Sequence, residues 1–215
     1  MESSLIYLRK DFLDKCTQLG VSVTAEQTDS LLAYLSLLLK WNKGFNLTAI
    51  TDPKEALDLH LVDSVSISPF IKDFNSLLDV GTGGGLPGIP LAILNPDKQF
   101  SLLDTNSKKT RFLKQTVFEL GLSNVQVVNS RVQDFAQESG YACILSRAFA
   151  SIEDMLNWTE HLLAEQGQWL AMKGVYPTEE LQQLPQQIQL VNSELIQLPN
   201  RSEQRHLIYL QKTNQ

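Results

Sequence analysis

From residue 76 onward, apolar segments of strand length alternate with amphipathic stretches of helical length. That alternation constrains the fold more than any other feature of the chain. "SLLDV" (76–80) precedes a helical stretch from about Pro87, and "QFSLLD" (99–104) precedes "SKKTRFLKQTVFELG" (107–121). "VQVV" (125–128) runs into a short helical turn, "ACILSRA" (142–148) into a helix opening at Ser151, and "QWLAMKG" (168–174) into one near residue 180. Strands apolar on both faces need helices on both faces, so the alternation predicts an α/β fold with a parallel sheet between two helical layers. The last two strands, around "VNSELIQL" and "RHLIYLQK", are separated only by "PNRSEQ". With no crossover helix available they should form an antiparallel hairpin at the sheet edge.

The first 75 residues read differently, as a helical N-terminal extension packed on a main domain of residues 76–215. "SLIYLRKDFLDKCTQLG" places Leu5, Leu8 and Phe12 at helical spacing and stops at Gly20. "TAEQTDSLLAYLSLLLKWNKG" opens with a capping box from Thr24 to Gln27, carries Leu31, Leu35, Leu38 and Leu39 on one face, and is expected to end at Gly44. A third helix starts at Asp52, with Pro53 in its first turn, and runs through "KEALDLHLVDSV".

"LLDVGTGGGLPGIPL" (77–91) sets four glycines within five positions at the end of the first strand. In a doubly wound sheet the ligand lies beyond the carboxyl ends of the strands, and glycines there let it rest on bare backbone. A P-loop would end in Gly-Lys-Ser/Thr, but this run ends in Leu-Pro-Gly. A dinucleotide fingerprint would need a glycine where Leu86 stands, and Asp79, two residues before Gly81, would repel a pyrophosphate. The pattern Asp79-x-Gly81-x-Gly83-x-Gly85 instead suits a ligand with positive charge and no phosphate, such as S-adenosylmethionine. Asp104, ending the second strand, is placed to accept hydrogen bonds from ribose hydroxyls, although it also reads as a plain helix cap. On this reading Gly83→Arg abolishes cofactor binding and leaves the protein folded.

The end of the fourth strand is Ser146-Arg147-Ala148-Phe149. It lacks the Asp/Asn-Pro-Pro-aromatic segment used to hold exocyclic amines, and Cys143 sits inside an apolar strand as core, not as a nucleophile. A ring nitrogen with a free lone pair, such as guanine N7, needs no base, and orientation alone can serve it. Oxygen and small-molecule acceptors remain open at this point.

Taken in order, "WNKGFNLTAI" (41–50), "HLVDSVSI" (60–67), the glycine loop, "LLDTNSKKTRFL" (102–113), "SRVQDF" (130–135), "ILSRAFAS" (144–151), "AMKG" (171–174) and "QRHL" (204–207) resemble one family. It is the bacterial small-subunit ribosomal RNA guanine-N7 methyltransferases, the RsmG or GidB family. The resemblance implies a Rossmann-like class I methyltransferase domain, S-adenosylmethionine as cofactor, and small-subunit ribosomal RNA or the small ribosomal subunit as substrate. It also implies cofactor contacts at Gly81, Leu86, Val132, Gln133 and Arg147. Relatives often carry Glu where this chain has Gln133, so only a backbone contact is expected to survive there. No catalytic base stands out; Arg131, Arg147 and Arg205 are candidates for positioning the acceptor. Lys108, Lys109 and Arg111 (with Lys114 beside them), Lys173 and Arg201 are candidates for RNA phosphate. A charge run on a helix is equally a solvated face. His60 with Asp63, and Trp41 with Asn46, read as packing joints between extension and main domain.

A net charge of −6 opposes RNA binding unless basic residues gather on one face, and it favours a small-molecule methyltransferase as the rival reading. A cofactor-binding ribosome-assembly factor is a rival from another class, and a nicotinamide dehydrogenase a distant one. Cys16 and Cys143 stand far apart with no Cys/His cluster around them, which argues against a disulfide framework and a structural metal. The charged N-terminus lacks a signal-peptide pattern, and no apolar run approaches membrane-spanning length. A cytoplasmic monomer that binds no metal is the expectation.

Overall fold

Seven strands form one sheet in the order β3-β2-β1-β4-β5-β7-β6 in the computed structural model, which describes residues 5–147, 149 and 151–213. The first five strands, β1 (Ser76–Val80), β2 (Gln99–Asp104), β3 (Val125–Asn129), β4 (Tyr141–Ser146) and β5 (Leu163–Lys173), run parallel. β6 (Ile188–Gln197) and β7 (Gln204–Lys212) form the expected antiparallel hairpin, with β7 inserted between β5 and the edge strand β6. The strand order reverses between β1 and β4, so the crevice beyond their carboxyl ends is the ligand-binding position of such sheets.

β1 and β2 are buried along nearly their whole length, as central parallel strands must be. Alternate residues feed opposite layers. Leu78, Val80 and Leu103 pack with α7 (Ile152–Thr159), while Leu77 and Phe100 pack with α5 (Gly88–Leu94) on the other side. α6 (Ser107–Leu120) lies with α5, and α8 (Thr178–Gln182) bridges β5 and β6. Buried polar residues close the amino ends of the strands. Lys98 Nζ donates to the carbonyls of Lys72 and Phe74, and Asn124 Nδ2 to those of Ala92, Asn95 and Lys98.

In the N-terminal part, a 3-10 turn (Ile6–Leu8) leads into α1 (Arg9–Gln18), followed by α2 (Ala25–Phe45). The capping box at Thr24 and Gln27 is present. α2 ends one residue later than expected, at Phe45, because Asn46 takes the left-handed conformation (φ 50°) and Gly44 stays helical. The third helix opens at α3 (Pro53–Ala56) under an Asp52 cap, widens through a π-helical stretch (Leu57–Val62), and closes as α4 (Asp63–Val65). Leu31, Leu35, Leu38 and Leu61 share one continuous core with Ile89, Leu102 and Phe112. Trp41 is part of that joint, 4.9 Å from Phe45 and 5.7 Å from Phe112 between ring centroids. Among the described residues no helix is long and apolar enough to cross a membrane, and no His/Cys/Asp/Glu cluster has metal-binding geometry.

Candidate functional site

The glycine loop is fixed from three directions. The amides of Gly81 and Thr82 both donate to the Leu103 carbonyl (2.9 and 3.1 Å), and the Gly83 amide donates to Asp104 Oδ2 (3.0 Å), so the loop is tied to β2. From below, Asp79 Oδ2 accepts from Thr82 Oγ1 (2.7 Å) and from the Gly88 amide (2.9 Å). From the extension, the buried Tyr34 hydroxyl donates to the Gly84 carbonyl (2.7 Å). Gly81, Gly83 and Gly85 all have φ between 60 and 92°, the region that side chains with a Cβ avoid. At Gly85 a Cβ would also lie 2.6 Å from Ile89 and 2.7 Å from Leu113, so that glycine serves packing. At Gly81 nothing lies within 4 Å of the Cβ position, and its bare backbone faces open space.

That space is a cavity of about 450 Å³ at the carboxyl ends of β1, β2 and β3. Val80, Gly81, Leu103 and Asp104 form one wall, Val132 and Gln133 another, and Phe149, Asp154 and Trp158 close it from the α7 side. Phe149 and Trp158 meet edge to face, 5.6 Å between centroids. The chemistry of the lining fits an adenosine with a cationic extension. Apolar and aromatic surface is there for a base, and Asp104 keeps free lone pairs although its oxygens already accept from Gly83 and Asn106 amides. Lys109, the one cation of the lining, lies 3.9 Å from Asp104. A pyrophosphate would face Asp104 and Asp154 with only that lysine to balance them.

Gly81, Asp104, Val132 and Gln133 therefore converge on the cavity. The five other expected cofactor contacts are not part of its lining. Asp79 is 1% exposed and sits beneath the loop; burial raises its pKa to about 6 against the lowering effect of its hydrogen bonds to Thr82 and Gly88. It supports the loop and is not in the cavity wall. Leu86 is buried in the core with Ile89, Gly85 is enclosed by packing, and Gly83 turns its amide to Asp104. Arg147 leaves the end of β4 toward a second hollow of about 420 Å³, lined also by His60, Asp63, Met172, Gly174 and Arg205. The two hollows flank the end of β4 and share no lining residue.

In the second hollow Asp63 is the hub. Its Oδ1 accepts from Arg205 Nε (2.6 Å) and its Oδ2 from Arg147 Nη1 (3.3 Å). His60 hydrogen-bonds Thr48 through Nε2 (2.8 Å); burial, reinforced by the Arg147 charge, lowers its pKa to about 4, so the imidazole is neutral at pH 7. His60 and Asp63 thus do not pair with each other as the sequence suggested. Their one-turn spacing is altered by the π-helical stretch, and each has its own partner.

The basic candidates separate by partner. Lys173 is bound to Glu180 (3.0 and 3.1 Å) and Arg201 to Glu203 (2.6 Å at the shortest), so neither offers a free charge to phosphate. Lys109 lines the cavity at the ends of β1 and β2. Lys108, Arg111 and Lys114 project from the exposed face of α6 with no ion pair among the described residues, and Arg131 is exposed in the turn after β3, outside both hollows. Sequence reasoning missed Phe149, Asp154 and Trp158. The usable signal was the spacing of Asp154 and Trp158, four residues apart and thus on one face of α7, toward the cavity.

A family model described as "GidB: rRNA small subunit methyltransferase G" matches residues 27–208. The chain is 52% identical over 196 residues to the ribosomal RNA small subunit methyltransferase G of Pseudomonas aeruginosa strain LESB58, covering 91% of this chain and 92% of that protein. It is 47% identical over 205 residues to the corresponding protein of Ectopseudomonas mendocina, covering 95% and 96%. Among solved structures, a SAM-dependent methyltransferase from Aquifex aeolicus aligns with a TM-score of 0.56 at 16% identity, over 80% of this chain and 97% of that one. TYW2 of M. jannaschii in complex with AdoMet aligns at 0.54 and 14% identity, over 71% and 76%. These two establish the class I methyltransferase fold. The sequence match over nearly the full length goes further, and the chain belongs to the rRNA small subunit methyltransferase G (GidB) family.

Proposed function

We propose that this chain binds S-adenosylmethionine in the cavity at the ends of β1 and β2 and transfers its methyl group to N7 of a guanosine in small-subunit ribosomal RNA. The observation that carries the reading is the convergence of bare Gly81 backbone, the Asp104 carboxylate and an aromatic lid in one cavity of a chain with this family membership. S-adenosylmethionine supplies an electrophilic methyl group. The protein's part is binding and orientation. Asp104 takes the ribose hydroxyls, Val132 and Gln133 border the base, and Phe149 with Trp158 exclude water from it. Among the described residues beside the end of β4, Asp63 is held by two arginines and His60 hydrogen-bonds Thr48 through Nε2. An acceptor with its lone pair already available, as at guanine N7, fits such a site. Lys108, Arg111 and Arg131 are exposed cations with no ion pair among the described residues, and such side chains can contact phosphate in a chain whose net charge is −6. Residues 1–75 act as an extension of the catalytic domain of residues 76–215, in a cytoplasmic monomer.

Radiolabelled S-adenosylmethionine offered with small subunits that lack N7 methylation, with large subunits, or with deproteinised RNA tests the reading. Label incorporated into the small-subunit RNA alone is the expected result. Cofactor binding without transfer to any of the three would overturn it and point to a small-molecule acceptor.

A further inference from the structure

The hollow around Asp63 shares no lining residue with the cavity at the ends of β1 and β2, yet its construction is costly. Asp63 is 1% exposed and receives one guanidinium on each carboxylate oxygen. One carboxylate against two guanidiniums, with His60 neutral beside them, leaves net positive charge at the hollow's floor. Among the described residues, Arg147 uses only Nη1, on Asp63 and the Leu59 carbonyl. Arg205 uses Nε on Asp63 and Nη1 on the Gln204 carbonyl. The remaining N–H donors of both forks are therefore available to an anion, and guanidinium geometry suits phosphate oxygens.

Gly174, after β5, keeps space open beside the Arg205 fork; even a Cβ there would lie 3.9 Å from Nη1.

We propose that this hollow binds a phosphodiester of the RNA strand next to the methylated nucleotide, through Arg205 and Arg147, with Asp63 positioning both arginines. This rests on the reading of the chain as an RNA methyltransferase. It places the acceptor strand on one side of the β4 end and the cofactor on the other. The same anionic chemistry could come from the carboxylate of the cofactor's amino-acid end, and the test separates the two sources.

Full-length wild type and Arg205→Gln are compared for methyl transfer at varied small-subunit concentration and varied salt, and for S-adenosylmethionine affinity by calorimetry. Arg205→Gln should raise the KM for subunits about tenfold, as loss of a charged hydrogen bond does. It should also reduce the slope of log affinity against log salt by about one. Cofactor affinity should stay within about twofold, which also shows that the variant is folded. If Arg205→Gln weakens cofactor binding and leaves the subunit KM unchanged, the hollow serves the cofactor carboxylate and the inference falls. An unchanged KM with unchanged cofactor affinity overturns the inference entirely. Transfer by wild type in the same series shows that the broader reading stands in each case.

Discussion

Asp79 and His60 are both buried ionisable groups, and their pH dependences oppose each other. Asp79 has its pKa raised from 3.8 to about 6, chiefly by burial, so folding favours its protonated form. Its contribution is complete below pH 4 and is lost as pH rises to 6. His60 has its pKa lowered from 6.5 to about 4, again chiefly by burial, so folding favours the neutral ring. That contribution is complete above pH 6.5 and is lost as pH falls to 4. Each is worth on the order of 3 kcal/mol across nearly the same window. Thermal melts of wild type should therefore change little between pH 4 and 6 from these two groups. Asp79→Asn should gain stability as pH rises through that window, and His60→Gln should lose it. Parallel curves for wild type and both variants would show that neither environment is as described. In the cavity, Asp104→Asn turns one oxygen into a donor facing the Gly83 amide or the ligand. S-adenosylmethionine affinity should drop at least tenfold by calorimetry, a loss of about 1.4 kcal/mol or more.

At the scale of elements, β1, β2 and α6 were readable to within a residue because burial, capping and glycine stops agree there. Asn106 caps α6, accepting from the Lys108 and Lys109 amides, and Gly121 ends it in the left-handed conformation. The π-helical stretch in the third helix was not readable, since side-chain spacing at Leu57–Val62 looks helical in either geometry. Sequence could place Arg147 and Asp104 at the ends of strands but not assign them to different hollows on either side of β1; that depends on Asp63 reaching Arg147 across 84 positions. Pairings such as Lys173 with Glu180 likewise depend on where α8 docks. α2 is the element whose influence on the site is least evident from sequence. Tyr34 holds the Gly84 carbonyl, and a Cβ on Gly84 would come within 2.9 Å of Leu38. Tyr34→Phe leaves that carbonyl without its donor and should cost about 1–3 kcal/mol in denaturant unfolding. It should also weaken S-adenosylmethionine binding through the loosened loop. Stability and affinity both unchanged would mean the contact is incidental.

For the whole molecule, the shared core of α2, α5 and α6 has a consequence for the two-part reading of the chain. Leu31, Leu35 and Leu38 cover Ile89, Leu102 and Phe112, so residues 76–215 alone would expose a large apolar surface. Expressed separately, that segment should show no cooperative unfolding and no cofactor binding; a cooperative, cofactor-binding fragment would mean the extension is dispensable to the fold. The alternation of strands and helices and the glycine loop made the architecture and the cofactor class legible. The acceptor atom is not written in any one motif. The most direct measurement is the identity of the methylated nucleoside after a single turnover on hypomethylated small subunits, with the position mapped by chemical cleavage at 7-methylguanosine. Cleavage at one guanosine, with 7-methylguanosine as the sole labelled nucleoside, is the predicted result. Label in any other methylated nucleoside would contradict the account of a site that needs no base.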